Sequence, residues 1–176
     1  MIFITFSLLA AFFSTLFVRV CAAPIQFRDD SSSDITQYLF AHNYIRFSHG
    51  AVPLIWSDDL ASGAQQWADA CQFQHSNGQL SELPYGENIA AATGTFGISA
   101  AVESFLNQDS YDPLSPTFSA FTQIVWKDTT SVGCAYNTQC ANILPGQATL
   151  HVCLYNPPGN VVGLVTENVQ GSLNVD

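Results

Sequence analysis

The chain has 176 residues, enough for one domain whose core needs no metal or oligomer to hold it. It carries 14 acids against four Lys and Arg. A formal net charge of −10 argues against nucleic acid and anionic membrane surfaces as partners, because both are gripped by clustered bases.

Residues 1–18 are nearly all apolar and rich in Phe, Arg19 follows, and Val20-Cys21-Ala22-Ala23 offers small residues for cleavage. This is the pattern of a secretory signal peptide over residues 1–23. The competing reading is an uncleaved anchor, for which the run is barely long enough. Cleavage leaves Arg28, Arg46 and Lys127 as the only bases against 14 acids, a net charge of −11. No later stretch is apolar enough to span, so a secreted, extracellular protein without stable membrane insertion is expected. Cleavage also leaves Cys71, Cys134, Cys140 and Cys153. An even number in an exported chain suggests two disulfides, with three possible pairings.

Residues 24–33 are polar and acidic and read as a short flexible arm ahead of a domain over 34–176. Ser33 or Asp34 is a candidate cap for a first helix, with Ile35, Tyr38, Leu39, His42 and Ile45 at helical spacing and His49-Gly50 ending it. Ser57-Asp58-Asp59 opens a second helix, a capping hydroxyl followed by acids in the first turn. Leu60, Ala64, Trp67, Ala68 and Cys71 form its apolar stripe. A loop broken by Gly78, Pro84 and Gly86 follows, then a short apolar run over 88–92 and a third helix marked by Ile98, Ala101, Val102, Phe105 and Leu106. The period then changes. Strands are expected at 121–126, 132–136 and 149–155, with a turn at 157–160 and a short apolar segment over 161–165. Helices first and strands later argue for an α+β fold with an antiparallel sheet.

His75 and Glu87 bracket the central loop and pair a potential metal ligand or general base with a carboxylate. Two ligands fall short of a zinc site, which takes about three or four. Spacing alone favours a structural or binding role for His75. His42, on the apolar face of the first helix, reads as a hydrogen-bonded structural residue. No Gly-x-Ser-x-Gly elbow occurs, and Ser76 beside His75 does not make a dyad. Tyr111, Phe118 and Phe121 lie in a Pro-rich segment and form either an apolar ligand surface or rings folded onto the core.

Seven segments occur in order: H-N-Y-I-R at 42–46, H-G-A-V-P-L-I-W-S at 49–57, W-A-D-A-C-Q-F-Q-H-S at 67–76, G-E-N at 86–88, F-T-Q-I-V-W-K at 121–127, V-G-C-A at 132–135 and P-P-G-N at 157–160. Together they strongly resemble the CAP superfamily (cysteine-rich secretory proteins, antigen 5 and pathogenesis-related 1 proteins), nearest to fungal and plant pathogenesis-related 1 members and yeast sterol binders. The resemblance implies a three-layer α-β-α sandwich with a central antiparallel sheet, and disulfides Cys71–Cys140 and Cys134–Cys153. It also implies a central cleft with two His and two Glu, sometimes metal-loaded. His75 and Glu87 match the first of each. Gln108 stands where the second Glu belongs and Ala120 where the second His belongs; Ala coordinates nothing and Gln only weakly. The nearest spare acid, Glu103, is five residues from Gln108 and out of helical step with it. No metal and no cofactor is therefore expected in this remnant cleft.

The resemblance further implies a lipid-binding loop, with Tyr111 and Phe118 at its outer aromatic positions, Pro113 replacing the middle ring, and Pro116 and Phe121 completing the segment. Some relatives also hold fatty acids between two helices. The expected function is a secreted, non-enzymatic binder of sterols or other small hydrophobic ligands. The alternatives are an extracellular effector with a host or cell-wall partner that has lost lipid and metal binding, and, last, a metal-dependent hydrolase.

Overall fold

The computed structural model describes residues 30–106, 111, 112, 115 and 117–171. The order is α1 (Asp30–Ser48), β1 (Ile55–Trp56), α2 (Asp58–Asp69), β2 (Gly86–Thr93), α3 (Ile98–Ser104), α4 (Ala120–Ile124), β3 (Ser131–Leu144), β4 (Gly146–Asn156) and α5 (Val165–Asn168). The strands form one sheet in the order β1-β3-β4-β2. Alternation along β4 divides the interior. Leu150, Val152 and Leu154 point to the α2 side and pack with Ala64, Trp67 and Ala68. Cys153 and Tyr155 point to the other side, where Tyr38, Ile45, Val102, Phe105, Ile124 and Trp126 from α1, α3 and α4 cover them. The result is the expected α+β sandwich of three layers.

The sheet departs from the expected pattern in one strand. β2, β3 and β4 are antiparallel, with Glu87 opposite Leu154 and Cys134 opposite Cys153, whereas the two-residue β1 runs parallel to β3. Residues 30–33, expected in the arm, already belong to α1, where Thr36 Oγ1 donates to Ser32 O at 2.8 Å. Ser57 caps α2 as expected, accepting from Leu60 N. Gly133 lies beneath that first turn, with space for no Cβ: one would come within 2.2 Å of Ala61 N.

The expected strand over 121–126 is instead the helix α4. Its β-branched and aromatic composition is overridden at both ends. At the start, Ser119 and Thr122 form a reciprocal capping box: Thr122 N donates to Ser119 Oγ at 3.2 Å and Ser119 N to Thr122 Oγ1 at 2.8 Å. At the far end, the fully buried Arg46 takes the loose carbonyls. Its Nη1 donates to Ile124 O (2.6 Å) and Trp126 O (2.8 Å), its Nη2 to Thr129 O (2.9 Å) and its Nε to Val52 O (2.7 Å). The short apolar segment at 161–165 forms no strand either. It turns at an exposed surface, with Val162 in solvent, and leads into α5.

Three of the sequence motifs meet at the Gln123 amide. Its Oε1 accepts from Gly159 N at 2.8 Å and its Nε2 donates to Thr129 Oγ1 at 3.3 Å. A Cβ on Gly86 would stand 2.1 Å from that Oε1, and one on Gly159 2.8 Å from it. A second buried network joins α1 to β2 and β4. His42 Nε2 meets Tyr155 OH at 2.8 Å, and Asn88 Nδ2 donates to the same hydroxyl at 3.1 Å. Burial lowers the His42 pKa to about 4, so the ring is neutral in the fold. His151 is shifted in the same direction, also by burial.

Two outcomes follow. Gly133→Ala is expected to lower the thermal midpoint more than Gly86→Ala, because its new methyl meets backbone while that of Gly86 meets a side chain. Differential scanning calorimetry of both variants checks the ranking, with losses on the order of 2–4 kcal/mol for Gly133→Ala. The second concerns pH. An unfolded histidine protonates near about 6.5, whereas folded His42 stays neutral down to about 4. Its contribution is thus complete above the unfolded value and declines as pH falls through this window. Urea unfolding of wild type and His42→Gln between these limits should show the wild type losing about 1.4 kcal/mol more per pH unit.

Candidate functional site

The central cleft has a volume of about 460 Å³ and opens between the loop after α2 and the start of α4. The loop is anchored in three ways. Cys71, with φ of 50°, ends the helix and is bonded to Cys140 of β3. Trp67 Nε1 donates to Gln74 O at 2.8 Å. Asn77 and Gly78, with φ of 51° and 81°, turn the chain back. Gly tolerates this left-handed backbone without strain, and Asn tolerates it better than most residues.

His75 and Glu87 are brought together as the sequence reading paired them. His75 Nδ1 donates to Glu87 Oε1 at 2.6 Å, and the His75 side chain is 65% exposed while that of Glu87 is 7% exposed. Glu87 also receives Ser76 N, at 3.0 and 3.3 Å from its two oxygens, and the Ser76 hydroxyl on Oε2. Tyr85 OH lies 2.7 Å from Ser76 Oγ and accepts from Leu80 N at 3.2 Å. The carboxylate therefore closes the loop on itself and spends its lone pairs doing so. The sequence reading weighs Ser76 only as a dyad partner of His75 and does not single out Tyr85. A serine directly before a turn carries no signal until the carboxylate eleven residues on is folded against it.

The opposite wall carries Phe118, Ser119, Ala120 and Asn160. Ala120 faces the cleft, so a methyl group stands where the resemblance places a second imidazole. Asn88 Nδ2 donates to Ala120 O at 2.9 Å and fixes the start of α4 there. Asn160 is occupied at both ends of its amide: Thr122 Oγ1 donates to its Oδ1 at 2.6 Å and its Nδ2 donates to Ser119 O at 2.9 Å. Gln108, Pro113 and Pro116 lie outside the described residues. Among those described, His75 Nε2 is the one strong metal donor in the cleft without an intramolecular partner. A divalent ion would need about two or three more. A buried group of His42, Cys134 and Cys153 sits within 4.8 Å, but both sulfurs are joined in a disulfide and both His42 nitrogens are hydrogen-bonded.

The aromatic residues of the expected lipid loop do not gather on one surface. Tyr111 packs on Phe121 with ring centres 5.8 Å apart and donates to Val169 O at 3.4 Å. Phe121 is buried and also meets the edge of His49 at 4.9 Å. Phe118 alone of the three turns to the central cleft. A second concavity, of about 420 Å³, lies between α1 and α3. Ala41, Ile45, Val102 and Leu106 line it, Phe40 and Tyr44 form its rim on α1, and Ser99 and Glu103 stand on the α3 side. Sequence reading missed Phe40 and Tyr44; their signal is that they are apolar yet off the stripe that α1 buries.

Comparison with known proteins agrees with this geometry. The family model described as the cysteine-rich secretory protein family, CAP, matches residues 39–155. Pathogenesis-related protein 1C of Nicotiana tabacum is 36% identical over 175 residues, covering 92% of this chain and 96% of that protein. Fruiting body protein SC7 of Schizophyllum commune is 38% identical over 144 residues, covering 73% of this chain and 67% of its own. The crystal structure of MpPR-1i superposes with a TM-score of 0.57 at 26% identity, over 84% of this chain and 100% of that one. The chain belongs to the CAP family of cysteine-rich secretory proteins, with plant pathogenesis-related and fungal fruiting-body proteins among its relatives.

Proposed function

We propose that this protein is a secreted, non-enzymatic binder of small hydrophobic ligands, and that the groove between α1 and α3 is where the ligand lies. The observation that carries this reading is the lining of that groove: aliphatic side chains along its floor, two aromatic rings at its lip, and few polar groups. Such a surface gains from covering a hydrocarbon skeleton. Glu103 refines the class. A carboxylate at the rim accepts a hydrogen bond from a hydroxyl and repels another carboxylate, so a sterol or other neutral lipid alcohol fits better than an ionised fatty acid. Secretion is supported by the apolar leader at 1–18 and by two disulfides, which persist in oxidising compartments.

The central cleft is read as a structural remnant without zinc or catalysis. Glu87 is engaged by three donors from residues 75 and 76, and Ala120 supplies no ligand. Ser76, His75 and Glu87 do not form a hydrolytic relay, because the Ser76 hydroxyl bypasses the imidazole to reach Glu87 directly and the residue is fully buried.

Fluorescent sterol and fatty acid titrations on the delipidated protein test the ligand reading. Sterol should bind, and Ser99→Trp, on the exposed first turn of α3, should weaken it roughly tenfold or more with the melting temperature unchanged. Glu103→Gln should raise fatty-acid affinity several-fold while leaving sterol no tighter. Retention of neither ligand by the wild type sinks the proposal. For the cleft, calorimetry should find no tight stoichiometric zinc binding; tight binding abolished by His75→Ala would reverse that part of the reading.

A further inference from the structure

A helix lying on a globular core normally turns a polar face to water. α1 does not. It buries Tyr38, His42, Ile45 and Arg46, and on its outer side places Phe40, Tyr44 and Phe47 at spacings of four and three, which is one continuous stripe. The three are 71%, 69% and 74% exposed, and the Phe40 and Tyr44 rings stack at 6.3 Å. Charge is also distributed unevenly. The chain has 14 acids, yet none falls between Ile35 and Ser57, and the one base in that stretch, Arg46, is fully buried.

We propose that this outer face of α1 docks on a neutral lipid surface, with Phe40, Tyr44 and Phe47 set into the headgroup boundary. Its charge selects the occupant. An uncharged aromatic stripe has nothing to pair with anionic headgroups, and an acidic chain is repelled by them, so zwitterionic or sterol-bearing lipid is the match. Aromatic side chains, tyrosine above all, suit the boundary where one end is apolar and the other wet. A second copy of the chain fits less well. The three rings expose roughly 400 Å² together, about half of what each partner of a stable dimer buries, and two copies this acidic repel one another. The docking is peripheral, since no described helix is long and apolar enough to cross a membrane.

The position of the stripe gives the docking a use. Phe40 and Tyr44 are also the lip of the α1–α3 groove. Setting them into the headgroup layer brings the mouth of the groove against the lipid, so that a hydrophobic ligand moves between the two without crossing water. This use rests on the lipid reading of the groove; the docking itself does not.

Flotation of the full secreted protein with phosphatidylcholine vesicles, with and without sterol, tests the docking. The variant of choice is Phe47→Ser, because Phe47 belongs to the stripe but does not line the groove, and its exposure makes the change harmless to the core. Wild type should float with neutral vesicles. Phe47→Ser should float roughly tenfold less while binding fluorescent sterol in solution as the wild type does. Phe40→Ser should lose both. Four results overturn the docking: no flotation of the wild type, flotation unchanged in both variants, flotation confined to vesicles containing phosphatidylserine, or a dimer in sedimentation velocity that Phe47→Ser dissolves. Sterol binding without flotation leaves the proposed function standing and removes the docking. Flotation without retention of sterol or fatty acid does the opposite.

Discussion

The guanidinium of Arg46 has no carboxylate partner among the described residues, although it is fully buried. Burying a cation is costly unless its hydrogen-bonding directions are met. Here four backbone carbonyls from three segments meet them: the link after α1, the end of α4 and the turn that follows it. Burial still depresses the Arg46 pKa to about 10, which leaves the group charged at neutral pH. The carbonyls at the end of α4 belong to the negative pole of a helix, which suits a cation. Removing the side chain would orphan these acceptors and release α4, and with α4 goes the wall that carries Ser119 and Ala120.

From this anchor the site can be followed outward by shared hydrogen bonds. Gln123 of α4 reaches Gly159, Asn88 of β2 reaches Ala120, and Asn160 reaches Ser119. The two walls of the cleft are therefore joined by neutral amide and hydroxyl groups. On the loop side Glu87 plays a comparable part with a charge. Its neighbours are donors from its own side of the cleft, and its burial leaves little of it for a ligand.

Several of these relations are legible in the sequence and others are not. The Ser57 cap, the Ala64–Trp67–Ala68 stripe and the alternation of residues 149–155 are local patterns, and each became the element expected of it. The pairing of His75 with Glu87 was also readable, because the two stand at either end of one short connection into β2. Residues 121–126 show the limit. Their composition speaks for a strand, and the Ser119–Thr122 box that contradicts it is a weak local signal beside the decisive partner, Arg46, which lies 78 residues from Ile124. The parallel pairing of β1 rests on a similar long-range contact with β3. The groove between α1 and α3 was invisible for another reason: a concavity is defined by the distance between two helices, which neither helix encodes alone.

The sheet parts the interior into two cores, and each has its own cystine. Cys134–Cys153 joins neighbouring strands beneath the layer of α1, α3 and α4, whereas Cys71–Cys140 ties the end of α2 to β3 on the opposite side across 69 residues of chain. The loop bearing His75 begins at the second of these bridges, and the apolar groove lies over the first. The cleft loop and the layer that holds the groove are thus tied by different bridges. A reductant that opened the long bridge would slacken the cleft loop and leave the helices around the groove on strands still tied to each other.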